Sequence, residues 1–489
     1  MSATKNVMLV NPPASTPIGM VCAATILVPP MGLAYLASTV RQAGYHPSIL
    51  DMRAGGNGKA RFIEEFERLR PRVVGFSVMT DFVTNALRLA RIIKRLDPEC
   101  WVVFGGPHPG YRADEILHTG VVDVVAIKGD GEAVFREICD VAHEGDRADL
   151  ARIGGVIYRD GEQIVSTPAR GLLMDLDQIP WPAWDVLRLE DYNVPLVHST
   201  RGCVGHCKFC CEGMGSVNRL RFRSVDHVME EIDYLYRRGV RMLSFSDDNF
   251  VSGRKRLEEI CDALVGRFPG LRWTCETRVD TTSLDNIRRM AEAGCRSVHF
   301  GVESISRKTL DELGKRFHLD QVVERVSLAA ELGITNFLTF VIGLPGETED
   351  QIRDSFATAM ELKKKYKAIC AFSILTPYPG SEYGDHPERY GITIHSRNYD
   401  HYNTITSVIS TQHLSQRQLQ NLHCELTLES MTVSDPSTDR DPLRLVDRGF
   451  INELGRVTIV QDNFKFAPDY PEKLALVPLV EELSASAVS

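Results

Sequence analysis

The sequence predicts an α/β protein in three parts: an N-terminal doubly wound parallel sheet, a partial (βα)6 barrel, and a small mixed or helical C-terminal region. Three observations predict it. Val/Ile-rich runs alternate with amphipathic helical patterns as far as residue 150, a second series of the same kind starts at Pro195, and the rhythm stops near residue 395. Apolar strands separated by helices mean parallel strands buried on both faces, because each crossover lays a helix over the sheet.

In chain order the first series reads NVMLVN at 6–11, GLAYLASTVRQAG at 32–44, PSILDM at 47–52 and RVVGFSV at 72–78. It continues with NALRLARIIKRL at 85–96, CWVVFGG at 100–106, VDVVAIKG at 122–129 and AVFREICDVAHE at 133–144. Residues 1–150 therefore form a first domain. In such sheets ligands sit beyond the carboxyl ends of the strands, where the turns Asn11-Pro12-Pro13, Asp51-Met52-Arg53 and Gly105-Gly106-Pro107-His108 lie. Residues 151–195 hold a strand pair turning at Asp160-Gly161 and then a Pro/Trp-rich stretch, which together read as a connector. Between 196 and 395 the strands PLVHST, VRMLSFSDD, LRWTCETRVD, CRSVHFGVE, TNFLTFVIG and AICAFSILTPY alternate with helices, as a partial barrel requires, and an active site belongs at their carboxyl ends. Residues 396–489 keep one helical segment near 415–431 and end in a small polar tail.

With 43% hydrophobic and 25% charged residues, the 489-residue chain has an ordinary globular composition and a length that favours two or three domains. No apolar run approaches the roughly 20 residues that span a bilayer, and the start MSATKNVMLVNPP has neither a basic n-region nor a cleavage site, so a cytoplasmic protein is expected. Twelve cysteines without a secretion signal favour metal ligation and buried thiols over disulfides. The net charge of -9 argues against a phosphate-tracking surface, and no nucleic acid partner is expected.

Directly after PLVHST comes Arg201-Gly-Cys203-Val-Gly-His-Cys207-Lys-Phe-Cys210-Cys211, three spaced thiols on a glycine-containing loop. Three thiolates can hold a cubane iron–sulfur cluster while leaving one iron open, whereas zinc wants a fourth protein ligand. The CxxxCxxC spacing, with an aromatic before its last cysteine and a barrel's first strand before it, resembles the radical S-adenosylmethionine superfamily. The resemblance implies a [4Fe-4S] cluster on Cys203, Cys207 and Cys210, with Cys211 a neighbour packed against the core. It also implies S-adenosylmethionine at the strand ends, held by Asp247, Asp248, Arg278, Glu303, Ser304 and Gly343. Glu276 and Asp280 flank Arg278 on the third strand, and Glu347 stands one residue late for the adenine-side motif. An electron donor such as flavodoxin or ferredoxin is implied as partner, and a small molecule as substrate; no further catalytic residue is assigned.

The first domain resembles the Rossmann-like cobalamin-binding domain that precedes many such barrels, through NPP at 11–13, PPMGLAYLAS, GGPHP and the GDGE turn at 129–132. That likeness implies cobalamin contacts at Asn11, Pro12, Arg53, Ser77, Thr80, Gly105, Gly106, His108, Gly129, Gly131 and Glu132. Where many cobalamin domains carry a cobalt-ligating histidine, this chain has Arg53, which offers only donors. Bound cob(II)alamin is then expected to lack nitrogen superhyperfine splitting, with His108 the residue to suspect otherwise. The leading expectation is a cobalamin-dependent radical methyltransferase that moves a methyl group from methylcobalamin to an unactivated carbon of a small-molecule biosynthetic intermediate through a 5′-deoxyadenosyl radical. The alternatives are ring formation, rearrangement or oxidation with the same cofactors, and methylthiolation of transfer RNA or protein, which needs Cys22, Cys100 and Cys139 to converge on a second cluster. A non-enzymatic cobalamin sensor is disfavoured by the complete cysteine motif.

Overall fold

The computed structural model describes residues 5–14, 27–54, 58–127, 129–211 and 219–433. The first sheet comprises β1 (Asn6–Asn11), β2 (His46–Asp51), β3 (Val73–Ser77), β4 (Trp101–Gly105), β5 (Val124–Ala126), β6 (Val156–Asp160) and β7 (Gln163–Ser166). Their order is β2-β1-β3-β4-β5-β6-β7, and the first five run parallel. Strand order therefore reverses between β1 and β3, which places the ligand crevice of an open α/β sheet at Asn11 and Ser77. Along β1, Val7 and Leu9 pack under the helices Met31–Gln42 and Gly131–Glu144, while Met8 and Val10 pack under Gly58–Leu69 and Val83–Leu96. All four side chains are fully buried, as a central strand covered on both faces demands.

The strand pair assigned to a connector does not serve as one. β6 lies antiparallel on β5, with Val124 opposite Tyr158, and β7 completes the hairpin, so the first sheet extends through Ser166. Buried Val156 and Tyr158 give the strand an inward face that joins the core under the helix Gly131–Glu144.

The second sheet holds β8 (Leu196–Val197) and, beyond the short pair β9 (Thr200–Arg201) and β10 (Arg221–Phe222), β11 (Met242–Phe245), β12 (Arg272–Arg278), β13 (Cys295–Glu303), β14 (Thr335–Ile342) and β15 (Ile369–Ile374). All six run parallel in the order β15-β14-β13-β12-β11-β8, and its outer strands do not pair with each other, so the barrel stays partial. Fully buried Trp273 anchors the core: its indole N–H donates to the Ala293 carbonyl at 2.8 Å, and Phe245 and Phe250 lie 5.4 and 5.3 Å from its ring. Past a small antiparallel pair, β16 (Thr393–Ile394) and β17 (Ile409–Ser410), the helix Gln416–Thr432 presses Leu419, Leu422 and Leu426 into the barrel core. The polar tail expected beyond it lies outside the described residues. Met31, Ala34 and Tyr35 of the first domain join the same core, so the two sheets share an apolar seam. Among the described residues no helix is long and apolar enough to cross a membrane.

Candidate active site

The loop carrying the three cysteines is fastened at its base. β9 pairs with β10, Arg201 opposite Arg221, and Asp247 at the end of β11 accepts from Ser199 N–H at 2.7 Å, Ser199 O–H at 2.6 Å and Thr200 N–H at 2.9 Å. Burial pushes the Asp247 carboxyl up, and these hydrogen bonds oppose the rise. Asp247, expected to meet a ligand ammonium, is buried and buckles the loop to the sheet. Gly202 then turns the chain at φ +87°.

Inside the loop, donors point at sulfur. Gly205 N–H donates to Cys203 Sγ at 3.3 Å and Arg278 Nη1 to Cys207 Sγ at 3.2 Å. A β-carbon at Gly205 would stand 2.7 Å from Arg278 Nη1, so glycine is what lets the guanidinium approach. Burial pushes the Cys203 thiol up, and the Gly205 N–H and the Arg278 charge draw it back towards thiolate. Among the described residues no three metal-ligating side chains surround a single ion. A cubane puts each thiolate on a different iron, and three soft donors, two of them (Cys203 and Cys207) with N–H groups aimed at sulfur, fit that group. Cys211, expected in the core, is only half-buried, and its carbonyl accepts from the Tyr111 hydroxyl at 3.2 Å.

At the other strand ends charges are paired. Asp280 grips Arg278 through two hydrogen bonds of 2.8 and 2.7 Å, so the fork expected to meet a ligand carboxylate is already held. Glu303 sits at φ +66°, strained for a residue with a side chain, and Lys315 Nζ bonds its carboxylate at 2.7 Å and the Gly301 carbonyl at 2.6 Å. Nothing in the sequence around Lys315 signalled this buried partner. Ser304 donates to Glu347 at 3.0 Å, and burial pushes the Glu347 carboxyl up to about 7. Gly343, at φ +80°, makes room for Leu419, whose Cδ2 would lie 2.8 Å from a β-carbon, so packing of the C-terminal helix explains this glycine. Glu276 is exposed and faces His299 Nδ1 at 3.5 Å; Asp248 is exposed as well.

A cavity of about 390 Å³ is walled by both sheets. Ser77, Gly105, Gly106, Gly129 and Gly131 border it from the first domain, and Thr200, Gly202, Ser246 and Asp248 from the barrel, with Leu33, Val103 and Phe135 in its apolar depth. Gly106 has φ +99°, and a β-carbon there would lie 2.9 Å from the Val78 backbone. At Gly105 and Gly131 the nearest atoms to a β-carbon are 3.9 and 4.0 Å away, so any side chain would grow into the open space. That glycine cradle fits a large flat ligand pressed against backbone. A second cavity of about 430 Å³ touches Asn11, Arg53, Ser77 and Asp81, and also Tyr378, Asn403 and Thr404 from beyond β15. Gly32 and Ser77 border both spaces.

Three expected contacts fall elsewhere. Pro12, Thr80 and His108 are buried and border neither cavity. His108 Nδ1 lies 3.3 Å from Thr80 Oγ1 and its ring meets Tyr399 edge-on at 4.5 Å, while burial pushes its pKa down to about 4 and keeps it neutral. Tyr399 packs on Tyr402 at 5.3 Å, whereas Tyr378, also from beyond β15, borders the second cavity. Glu132 borders the first cavity, but its carboxylate pairs with Arg201, whose Nη1 lies 3.1 Å from Oε2 and 3.0 Å from Asp130 Oδ1. Arg221 completes this group through Asp130 and donates to the Leu173 carbonyl at 2.8 Å. The two arginines went unassigned in the sequence because their partners are 69 to 91 residues away. Cys100 and Cys139 are fully buried in the cores on opposite faces of the first sheet, and burial raises both thiols, Cys100 to about 12. They do not converge; Cys22 lies outside the described residues.

Residues 197–359 match the model of the radical SAM superfamily, and residues 19–138 match that of the B12 binding domain. An uncharacterized methyltransferase of Pyrococcus horikoshii is 31% identical over 425 residues, covering 85% of this chain and 90% of that protein. The anaerobic magnesium-protoporphyrin IX monomethyl ester cyclase of Rubrivivax gelatinosus is 26% identical over 405 residues, covering 80% of this chain and 71% of that protein. The solved structure of the radical S-adenosylmethionine methyltransferase TsrM from Kitasatospora setae, with cobalamin and a [4Fe-4S] cluster bound, has a TM-score of 0.68 at 18% identity, covering 89% of this chain and 92% of that one. At that identity the likeness is one of fold.

Proposed function

This chain belongs to the cobalamin-binding radical S-adenosylmethionine enzymes, whose cofactors are a [4Fe-4S] cluster, S-adenosylmethionine and cobalamin, and from that premise we propose that it transfers a methyl group to an unactivated carbon of a small-molecule biosynthetic intermediate. The observation that carries this reading is the shared cavity, whose wall passes from the glycine turns of the first domain to Gly202, the residue before Cys203. Bound there, the cofactors supply a carried methyl group and the reductive cleavage of S-adenosylmethionine that takes hydrogen from carbon.

The chain's own part is to hold and orient. Cys203, Cys207 and Cys210 take the cluster, the Gly205 and Arg278 N–H groups steady the sulfur charge, and Asp280 keeps the guanidinium in place. Exposed Asp248, on the cavity wall, takes the ammonium of S-adenosylmethionine. Gly105, Gly106, Gly129 and Gly131 seat the corrinoid against backbone, and Arg53 at the second cavity presents a cation and no metal ligand. Tyr378, Asn403 and Thr404 bring the region after the barrel to that second cavity, where it selects the substrate. The protein works in the cytoplasm and draws electrons from a flavodoxin or ferredoxin.

Anaerobic reconstitution followed by mass-resolved product analysis tests the proposal. A methylated product with S-adenosylhomocysteine and 5′-deoxyadenosine in comparable yield supports it. Deoxyadenosine with a cyclised or oxidised product and no homocysteine product replaces it with ring formation, the direction in which the likeness to the cyclase points.

A further inference from the structure

The cysteine loop is tied to the first domain at both ends. At its start, Arg201 and Arg221 of the barrel meet Asp130 and Glu132, which flank Gly131 on the turn that walls the cavity. This is a balanced quartet of charges, with side-chain exposures of only 24% and 5% for the arginines and 11% and 10% for the acids. Arg201 also lies over the Tyr35 ring, 5.1 Å from its centre, so its guanidinium has little freedom to follow one partner and leave the other. At the far end the Tyr111 hydroxyl donates to the Cys211 carbonyl, and the Tyr111 ring is seated against Gly380, leaving no room there for a β-carbon.

We propose that Arg201 is a positioning residue that couples the corrinoid cavity to the cluster loop. A ligand seated against residues 129–132 fixes the two acids, the acids fix Arg201, and Arg201 fixes the strand that leads into Cys203. Tyr111 repeats the tie beyond Cys210. Because such coupling is reciprocal, an assembled cluster tightens corrinoid binding by the same factor by which corrinoid favours the cluster-ready loop. The inference rests on the assignment of both cofactors made above.

The test is the dissociation constant of aquacobalamin for the full chain, measured anaerobically by absorbance with and without the reconstituted cluster. The wild-type protein is expected to bind about fivefold or more tightly when the cluster is present, the lower range of typical coupling. Arg201→Gln alone leaves an uncompensated buried carboxylate and risks the fold, so the deciding variant combines Arg201→Gln with Glu132→Gln. It removes one charge of each sign and keeps the Asp130–Arg221 pair. Wild-type iron content and circular dichroism with a ratio of dissociation constants near one support the proposal. Tyr111→Phe removes a single hydroxyl and no charge, and it is expected to lower the ratio at unchanged iron content, which keeps the test decisive if the double variant does not fold. A wild-type ratio of one, or a ratio unchanged in whichever of the two variants folds, overturns the inference alone. No corrinoid uptake by the wild-type protein overturns the cofactor assignment and the inference with it.

Discussion

The two parallel sheets border one cavity yet finish their strands in opposite ways. The first ends in small residues and turns, Ser77, Gly105, Gly106 and Gly129, whose contribution is the space they leave. The second ends in ionisable groups held by partners: Asp247 by Ser199 and Thr200, Arg278 by Asp280, Glu303 by Lys315. A large preformed ligand needs shape, and glycine provides it by letting backbone come close. A reactive centre needs charges that do not reorganise during the reaction, and buried pairs provide those. The contrast predicts that side-chain volume should damage the first sheet's function and charge the second's.

The largest effect is expected on the barrel side of the cavity. Replacing Cys203, Cys207 and Cys210 together by Ala abolishes the brown chromophore, bound iron and all reductive cleavage, because too few thiolates remain for a cubane. Corrinoid uptake survives in this variant, and iron analysis beside corrinoid absorbance separates the two. On the other side, Gly105→Leu places a side chain in the open space and weakens aquacobalamin binding about tenfold to a hundredfold, the equivalent of the ~1–3 kcal/mol that overpacking costs. Its iron content stays at the wild-type level. If iron falls as well, the division of labour between the sheets is wrong.

Charge is probed by Asp280→Asn, which keeps the shape of the side chain while loosening Arg278. Hydrogen bonds to charged groups are worth ~1.5–3 kcal/mol, so deoxyadenosine formation should fall about tenfold or more while corrinoid affinity is unchanged. The smallest effect concerns Glu347. Its carboxyl is raised by burial from 4.5 to about 7 in the fold, so its neutral form contributes stability that is fully present below pH 4.5 and lost as pH rises through about 7. Glu347→Gln mimics the neutral form. The variant should melt with the wild-type protein at pH 4 and a few degrees above it at pH 8, and equal melting temperatures at pH 8 would remove Glu347 as a buried titrating group.

What could be read in advance depended on how local the signal was. Val7 to Val10 and Trp101 to Phe104 announce buried parallel strands by themselves, and the cysteine spacing lies within eight consecutive residues, 203 to 210. The edge hairpin escaped because antiparallel strands joined by a Gly161 turn look alike whether or not a sheet receives them. Long-range partners leave no local mark. Ser199 and Thr200 bond the oxygens of Asp247, Leu419 packs where a side chain at Gly343 would go, and Arg201 from the other domain pairs with Glu132. A polar or glycine residue at a strand end marks a place where something must fit, and only the fold says whether that is a ligand or another part of the chain.

The central claim, that corrinoid and cluster serve one cavity, is tested most directly by electron paramagnetic resonance of protein holding cob(II)alamin together with the cluster. With the cluster reduced to its paramagnetic state, the cob(II)alamin lines should broaden and relax faster than in the Cys203, Cys207 and Cys210 triple Ala variant, because the two spins lie across a shared space. Two superimposed spectra, each identical to that of its centre alone, would contradict the account.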